Sequence, residues 1–176
     1  TTHSNENDLP TSAAVTVSGT EDATKTYAAG NFAFTDADAG DSITRIKITI
    51  LESTGDLECQ NKNGGGGGWA DCVANDYVAA GTDLRLAPVA DSVADVTFSF
   101  MVHDGTGYSA SAYILTTTHS NVNDAPTSAA VTVANVEDTL ITYSTGNFAF
   151  TDADSADSID KIKITILESS GNLECQ

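Results

Sequence analysis

The residues that could do chemistry in this sequence are aspartates, and they recur in short patterns. Asp36-Ala37-Asp38 is followed by Asp41; Asp104 sits in His103-Asp104-Gly105; Asn7-Asp8-Leu9-Pro10 precedes them both. Glu21-Asp22 and the stretch from Asp91 to Asp95 form a second set. In Asp-X-Asp on an extended loop both carboxylates fall on one side, within reach of one ion or of two adjacent ions. About six to eight hard oxygen donors, from carboxylates, Asn side chains and backbone carbonyls, are what a calcium ion takes. Left without a counter-ion, such a cluster repels itself. A lone Asp in a turn needs no ion, because its side chain bonds its own backbone. Several brought to one place do.

Other chemistries are poorly served. His3 and His119 stand in equivalent segments with no Cys or Asp arrangement repeated around them. His103 alternates outward from an apolar strand face and reads as a surface residue. Ser109 or Ser111 near it lacks the glycine pattern of a nucleophile elbow. Asp36 with Asp38 could be the paired carboxylates of a glycosidase, but the end of a narrow sandwich offers no deep cleft. Gly64 to Gly68 lacks the Lys-Ser/Thr ending of a phosphate-cradling loop. No enzyme is expected.

Charge narrows the partners. The 176 residues carry 25 acids, 18 of them Asp, against 7 Lys and Arg, a net charge of −18. So acidic a chain is not expected to bind nucleic acid, whose phosphates require cations, or to dock on anionic lipid. No apolar run reaches the roughly 18–20 residues of a membrane span. Hydrophobic residues make up 40% of the chain, enough for a core. Asp-rich, Lys-poor and rich in Thr and Ser, it reads as an extracellular chain.

The elements that position these acids come as a repeat. Residues 1–60 match 117–176 at a constant offset of 116, identical at 44 of 60 pairs. The expected organisation is a linker over 1–10, a complete unit over 11–118, a linker over 119–126 and the first half of a second unit over 127–176. Half a sandwich leaves strand edges open and half a core, so the sequence is expected to be an excerpt of a longer array.

Within the unit the hydrophobic period is two. Ile46, Ile48 and Ile50 alternate with Lys47 and Thr49; Val96, Phe98, Phe100 and Val102 alternate with polar residues or Met101. Each run is short and bounded by turn formers, which predicts about seven strands, near 12–18, 27–34, 43–51, 55–60, 72–79, 94–103 and 110–118. Seven short strands with one apolar face each predict an all-β, two-sheet sandwich. Alternating strand direction then brings Asp8, Asp36, Asp38 and Asp104 to one end and Glu21 and Asp91 to the other. Cys59 and Cys72 flank the glycine run and are expected to close it as a disulfide, contributing roughly 3 kcal/mol and implying an oxidising compartment. Cys175, the counterpart of Cys59, has its expected partner beyond the sequence. Trp69 could be an interface contact or could pack on its own loop.

At these residues the sequence resembles a known family. Glu-Asp, then Phe-X-Phe-X-Asp-X-Asp, then Ile-X-Ile-X-Ile, then Gly-X-Leu and Asn-Asp-Ala-Pro look like the cadherin-like tandem modules, including VCBS repeats, of large bacterial surface proteins. The resemblance covers essentially the whole 116-residue unit. It implies an Ig-like Greek-key sandwich with calcium at repeat junctions. Carried over by position, Glu21, Asp91, Asn123, Asp124, Asp152 and Asp154 would share one junction, and Asp8, Asp36, Asp38 and Asp104 would serve the preceding one. Glu137, the counterpart of Glu21, completes the candidate ligands. Three departures stand out: Asn-Asp-Leu-Pro in the first linker, Ala156-Asp157 in place of Gly40-Asp41, and the Cys-flanked glycine loop.

The function expected is structural: an extracellular, calcium-stiffened stalk or filament whose partners are neighbouring repeats or copies of itself. One rival is the extender of a calcium-dependent bacterial adhesin. Another is a carbohydrate-binding module, with Trp69 and Tyr77 near the loop, and glycans as partners.

Overall fold

The computed structural model describes residues 6–81, 83–168 and 171–174. They fall into two compact units divided between Val122 and Asn123. The first unit is all-β, two sheets packed as a sandwich. Its strands are β1 (Val15–Thr20), β2 (Lys25–Tyr27), β3 (Arg45–Ile50), β4 (Asp56–Cys59), β5 (Ala70–Asp71), β6 (Tyr77–Ala79), β7 (Leu84–Ala87), β8 (Val96–His103) and β9 (Tyr113–Ser120). The larger sheet runs β1-β9-β8-β3-β6 and the smaller β2-β7-β4-β5. The pairing of β1 with β9 is parallel and joins the two ends of the unit, Val15 to Leu115 through Thr20 to Ser120; the other ladders are antiparallel.

The alternation read from the sequence buries one face of each sheet. Ile46 and Ile48 of β3 meet Val102 and Phe100 of β8 across the ladder, and Leu57, Leu84 and Leu86 face them from the other sheet in one core. Aromatic edges knit the layers: Phe32 and Phe100 lie 4.9 Å apart, and Tyr27 and Phe98 5.5 Å. Such edge-to-face pairs add about 0.5–1.5 kcal/mol each beyond the area they bury.

Nine strands replace the expected seven, for local reasons. The run 27–34 is not one strand: the amide of Ala28 donates to Asn31 Oδ1, and residues 29–31 close a 3-10 turn before Phe32 drops into the core. The run 72–79 breaks because Asp76 accepts the Val73 amide and folds Val73–Asp76 into a turn. β7 is not among the expected strands, because its large apolar residues are only Leu84 and Leu86, around a charged Arg85. β1 ends at Thr20, two residues beyond expectation, because it follows β9 to Ser120.

The expected Cys59–Cys72 disulfide is present, with Cα atoms 5.2 Å apart and both cysteines buried. The loop it closes is further tied down by Asn63 and Lys62 on Asp76 and by Arg85 stacked 4.2 Å from the Trp69 ring. Cys175 lies outside the described residues.

In the second unit no strand forms among the described residues; Thr127 bridges Thr151, and Thr145–Asn147 repeat the 3-10 turn of the first unit. Ile162 and Ile164, counterparts of the buried Ile46 and Ile48, are more than two-fifths exposed. The sequence between Asn123 and the end supplies no counterpart of β8 to cover them.

Candidate metal centre

Topology places the acids. β3 and β8 are antiparallel, with Arg45 opposite His103, so the loop entering β3 and the turn leaving β8 share one end of the sandwich. Asp36, Asp41 and Asp104 meet there, with carboxylate oxygens within 4.8 Å of one another. Asp36 Oδ1 accepts the Asp38 amide (2.8 Å), and Asp38 Oδ2 accepts the Asp8 amide (2.7 Å). Asn7 donates to Asp104 Oδ2 at 3.3 Å. Asp104 Oδ1 accepts the Thr106 and Gly107 amides. Asp38 and Asp8 therefore shape the loop, and Asp41, which was noted beside Asp36 and Asp38 but not carried among the expected ligands, joins the cluster directly.

Electrostatics at this end oppose one another. The carboxyl of Asp41 is raised above its ordinary range by burial, then by the charges of Asp36, Asp38 and Asp104. Burial pushes Asp104 up too, but the Gly107 and Thr106 amides, Asn7 and His103 outweigh it and hold it below the usual carboxylate range. Asp36 Oδ2 is buried and has no hydrogen-bond partner. A buried carboxylate oxygen without a partner is costly, and a hard cation supplies one. Three convergent carboxylates are hard oxygen donors of the kind calcium takes.

The second unit rebuilds the same loop. Asp152 Oδ1 accepts the Asp154 amide (3.0 Å), and Asp154 Oδ2 accepts the Asp124 amide (2.7 Å). Asn123 donates to the Asp124 carbonyl as Asn7 does to that of Asp8. Asp152, Asp154 and Asp157 have oxygens within 4.8 Å.

The opposite end of β8 carries the other expected ligands of the first unit. The Asp91 amide donates to Asp22 Oδ1 (3.0 Å), and both residues have a positive φ, 55° and 59°. Asp tolerates that left-handed region better than most residues. Glu21 is 2% exposed and its Oε1 accepts the Val122 amide at 2.7 Å, so this carboxylate fixes the direction in which the chain leaves β9. Glu137, its counterpart, is exposed in irregular backbone.

Two histidines differ from expectation. His103 is only 6% exposed: it does leave the outer face of β8, but the following turn folds back, the His103–Tyr108 bridge closes, and the Tyr108 ring stands edge-on at 4.4 Å. Burial, then the charge of Arg45, lowers its pKa, with Asp104 opposing. Gly105 N–H and Thr44 Oγ1 both meet Nδ1, which makes His103 a staple of the acidic turn. His119 is a buried residue of β9 whose Nδ1–H donates to the Ala94 carbonyl.

Compared with protein-family models, curated proteins and solved structures, the chain matches none.

Proposed function

We propose that this chain is part of an extracellular structural protein of tandem Ig-like, cadherin-like sandwiches, forming a stalk or filament. Calcium held by the acidic ends of the repeats stiffens the passage from one repeat to the next. The observation that carries the reading is the acidic loop built twice from the same hydrogen bonds, with an unsatisfied buried oxygen on Asp36. Active sites are seldom built afresh in each repeat of an array, whereas junction ligands have to be. The Cys59–Cys72 disulfide supports an oxidising, extracellular setting. No helix among the described residues is long and apolar enough to cross a membrane.

In this reading Asp36, Asp41 and Asp104 hold the ion in the first unit and Asp152, Asp154 and Asp157 in the second. Bound calcium supplies positive charge that cancels repulsion within each cluster. The protein's own residues do the rest: Asp38 and Asp8 fix the loop, and Gly107 and Thr106 amides orient Asp104.

The test is thermal unfolding of the full chain with calcium and with excess chelator. At free calcium about a hundredfold above its Kd, the stabilisation expected is about 2.7 kcal/mol, or about 10 °C in Tm. Superimposable curves reject the reading. Asp36→Asn combined with Asp104→Asn should abolish most of the calcium-dependent shift in the first unit.

A further inference from the structure

The two outer faces of the first unit differ in charge. None of the five strands of the larger sheet contains an Asp or Glu, in a chain with 25 of them. Their outer face carries instead two cations two residues apart on β3. Arg45 lies over the Tyr77 ring at 5.1 Å and Lys47 over the Tyr108 ring at 5.5 Å. Among the described residues neither has a carboxylate within ion-pair distance; the first unit's ion pairs are Lys62–Asp76 and Arg85–Glu58. With acids in such excess, two cations without an acidic neighbour need an explanation.

The smaller sheet carries the acids: Asp56, Glu58 and Asp71 stand on its strands, beside Lys25 and Arg85. Asp56 and Glu58 alternate with buried Leu57 and Cys59 on β4, so both face outward, and Asp71 of β5 stands directly opposite Glu58. Like charges placed opposite each other in a ladder are destabilising. Arg85 answers Glu58. Asp56 and Asp71 are exposed, and the carboxyl of Asp56 is raised by burial and then by Asp71, Glu58 and Glu52, against Arg85.

We propose that the outer face of the larger sheet, through Arg45 and Lys47, docks on the Asp56–Asp71 face of the smaller sheet of a second copy. The partner is a second copy because the chain itself carries the complementary face, on the opposite side of the sandwich. A contact of front to back is heterologous and does not close on itself, so it adds copies side by side. The cationic pair recurs in the sequence as Lys161 and Lys163, which are the only Lys or Arg after Val122. This inference rests on the structural reading of the chain but needs no calcium.

Sedimentation velocity of the full, disulfide-intact chain in excess chelator tests it. At low salt the wild type should self-associate, and about 0.5 M NaCl should weaken association by at least about tenfold, because exposed charge pairs are screened. Arg45→Ser and Lys47→Ser together with Lys161→Ser and Lys163→Ser, and separately Asp56→Asn with Asp71→Asn, should each lower the association constant by about tenfold or more. Mixing the two variants leaves one intact pair of faces, so the mixture should form dimers that do not grow. Far-UV circular dichroism of each variant confirms that its fold is kept. A wild type that stays monomeric at high concentration and low salt overturns the proposal. So does association that neither variant changes, or that appears only with calcium. The chelator experiment on thermal unfolding is read separately, so either proposal can fail alone.

Discussion

Asp76 is held by three donors: the Val73 amide at 3.0 Å, the Asn63 side chain at 2.6 Å and the Lys62 ammonium at 3.1 Å. Burial pushes its carboxyl up, but these partners outweigh burial and hold it below the usual range. A carboxylate whose pKa is lower folded than unfolded stabilises the protein above the unfolded value, about 3.9, and that contribution is lost as pH falls through the folded value. Asp76→Asn should therefore cost about 1–3 kcal/mol in urea unfolding at neutral pH, with variant and wild type converging in acid. Tyr27 works at the other end of the scale. Its hydroxyl meets Thr117 Oγ1 at 2.6 Å, and burial, partly offset by that bond, pushes its pKa up to about 12. Folding then favours the protonated phenol, so this stability is full below the unfolded value near 10 and falls as pH rises through the folded value. Urea unfolding should lose roughly 3 kcal/mol between pH 10 and 12, a loss absent in Tyr27→Phe. The sequence marked Tyr27 only as the start of an expected strand, and Asp76 not at all. Nothing local distinguishes a buried Asp from a solvated one until its donors are assembled.

Among the elements, the Cys59–Cys72 loop is the one whose stability can be read separately. Its two ends are fixed by the disulfide, by Asp76 and by the Arg85–Trp69 stack, while Gly66, Gly67 and Gly68 touch nothing within 4 Å of where a Cβ would stand. Replacing both cysteines by serine should lower stability by about 3 kcal/mol, the entropy of an opened loop of this length. Deleting Gly66–Gly68 should change it by less than about 0.5 kcal/mol, because closure entropy varies slowly with loop length. Both are measured by urea midpoint. The long strands β3, β8 and β9 were legible because each shows several turns of period two. β5 and β7 were not, being two and four residues long, and β6 was legible only as the end of the expected run 72–79. Strands so short exist because their neighbours supply the ladder, which is a property of pairing and not of propensity.

For the molecule as a whole, net charge −18 makes ions part of stability. Monovalent salt screens all carboxylates alike, while a calcium site responds to the divalent ion at far lower concentration. Millimolar calcium should therefore raise Tm more than the same ionic strength of NaCl; equal shifts would mean screening alone. From the sequence alone came the repeat of 116 residues, the all-β class, the disulfide, and Asp36, Asp104, Asp152 and Asp154 among the acids that cluster, since these depend on identity, period and composition. Only the tertiary structure decided that Asp41 joins Asp36 and Asp104, that Glu21 grips the Val122 amide, that His103 is buried, and that acids are excluded from one outer face. Each of those depends on which strands lie side by side and which loop folds over them. Pairing across about 60 to 100 residues of chain is fixed by the packing of the whole core, and no short pattern of residues records it.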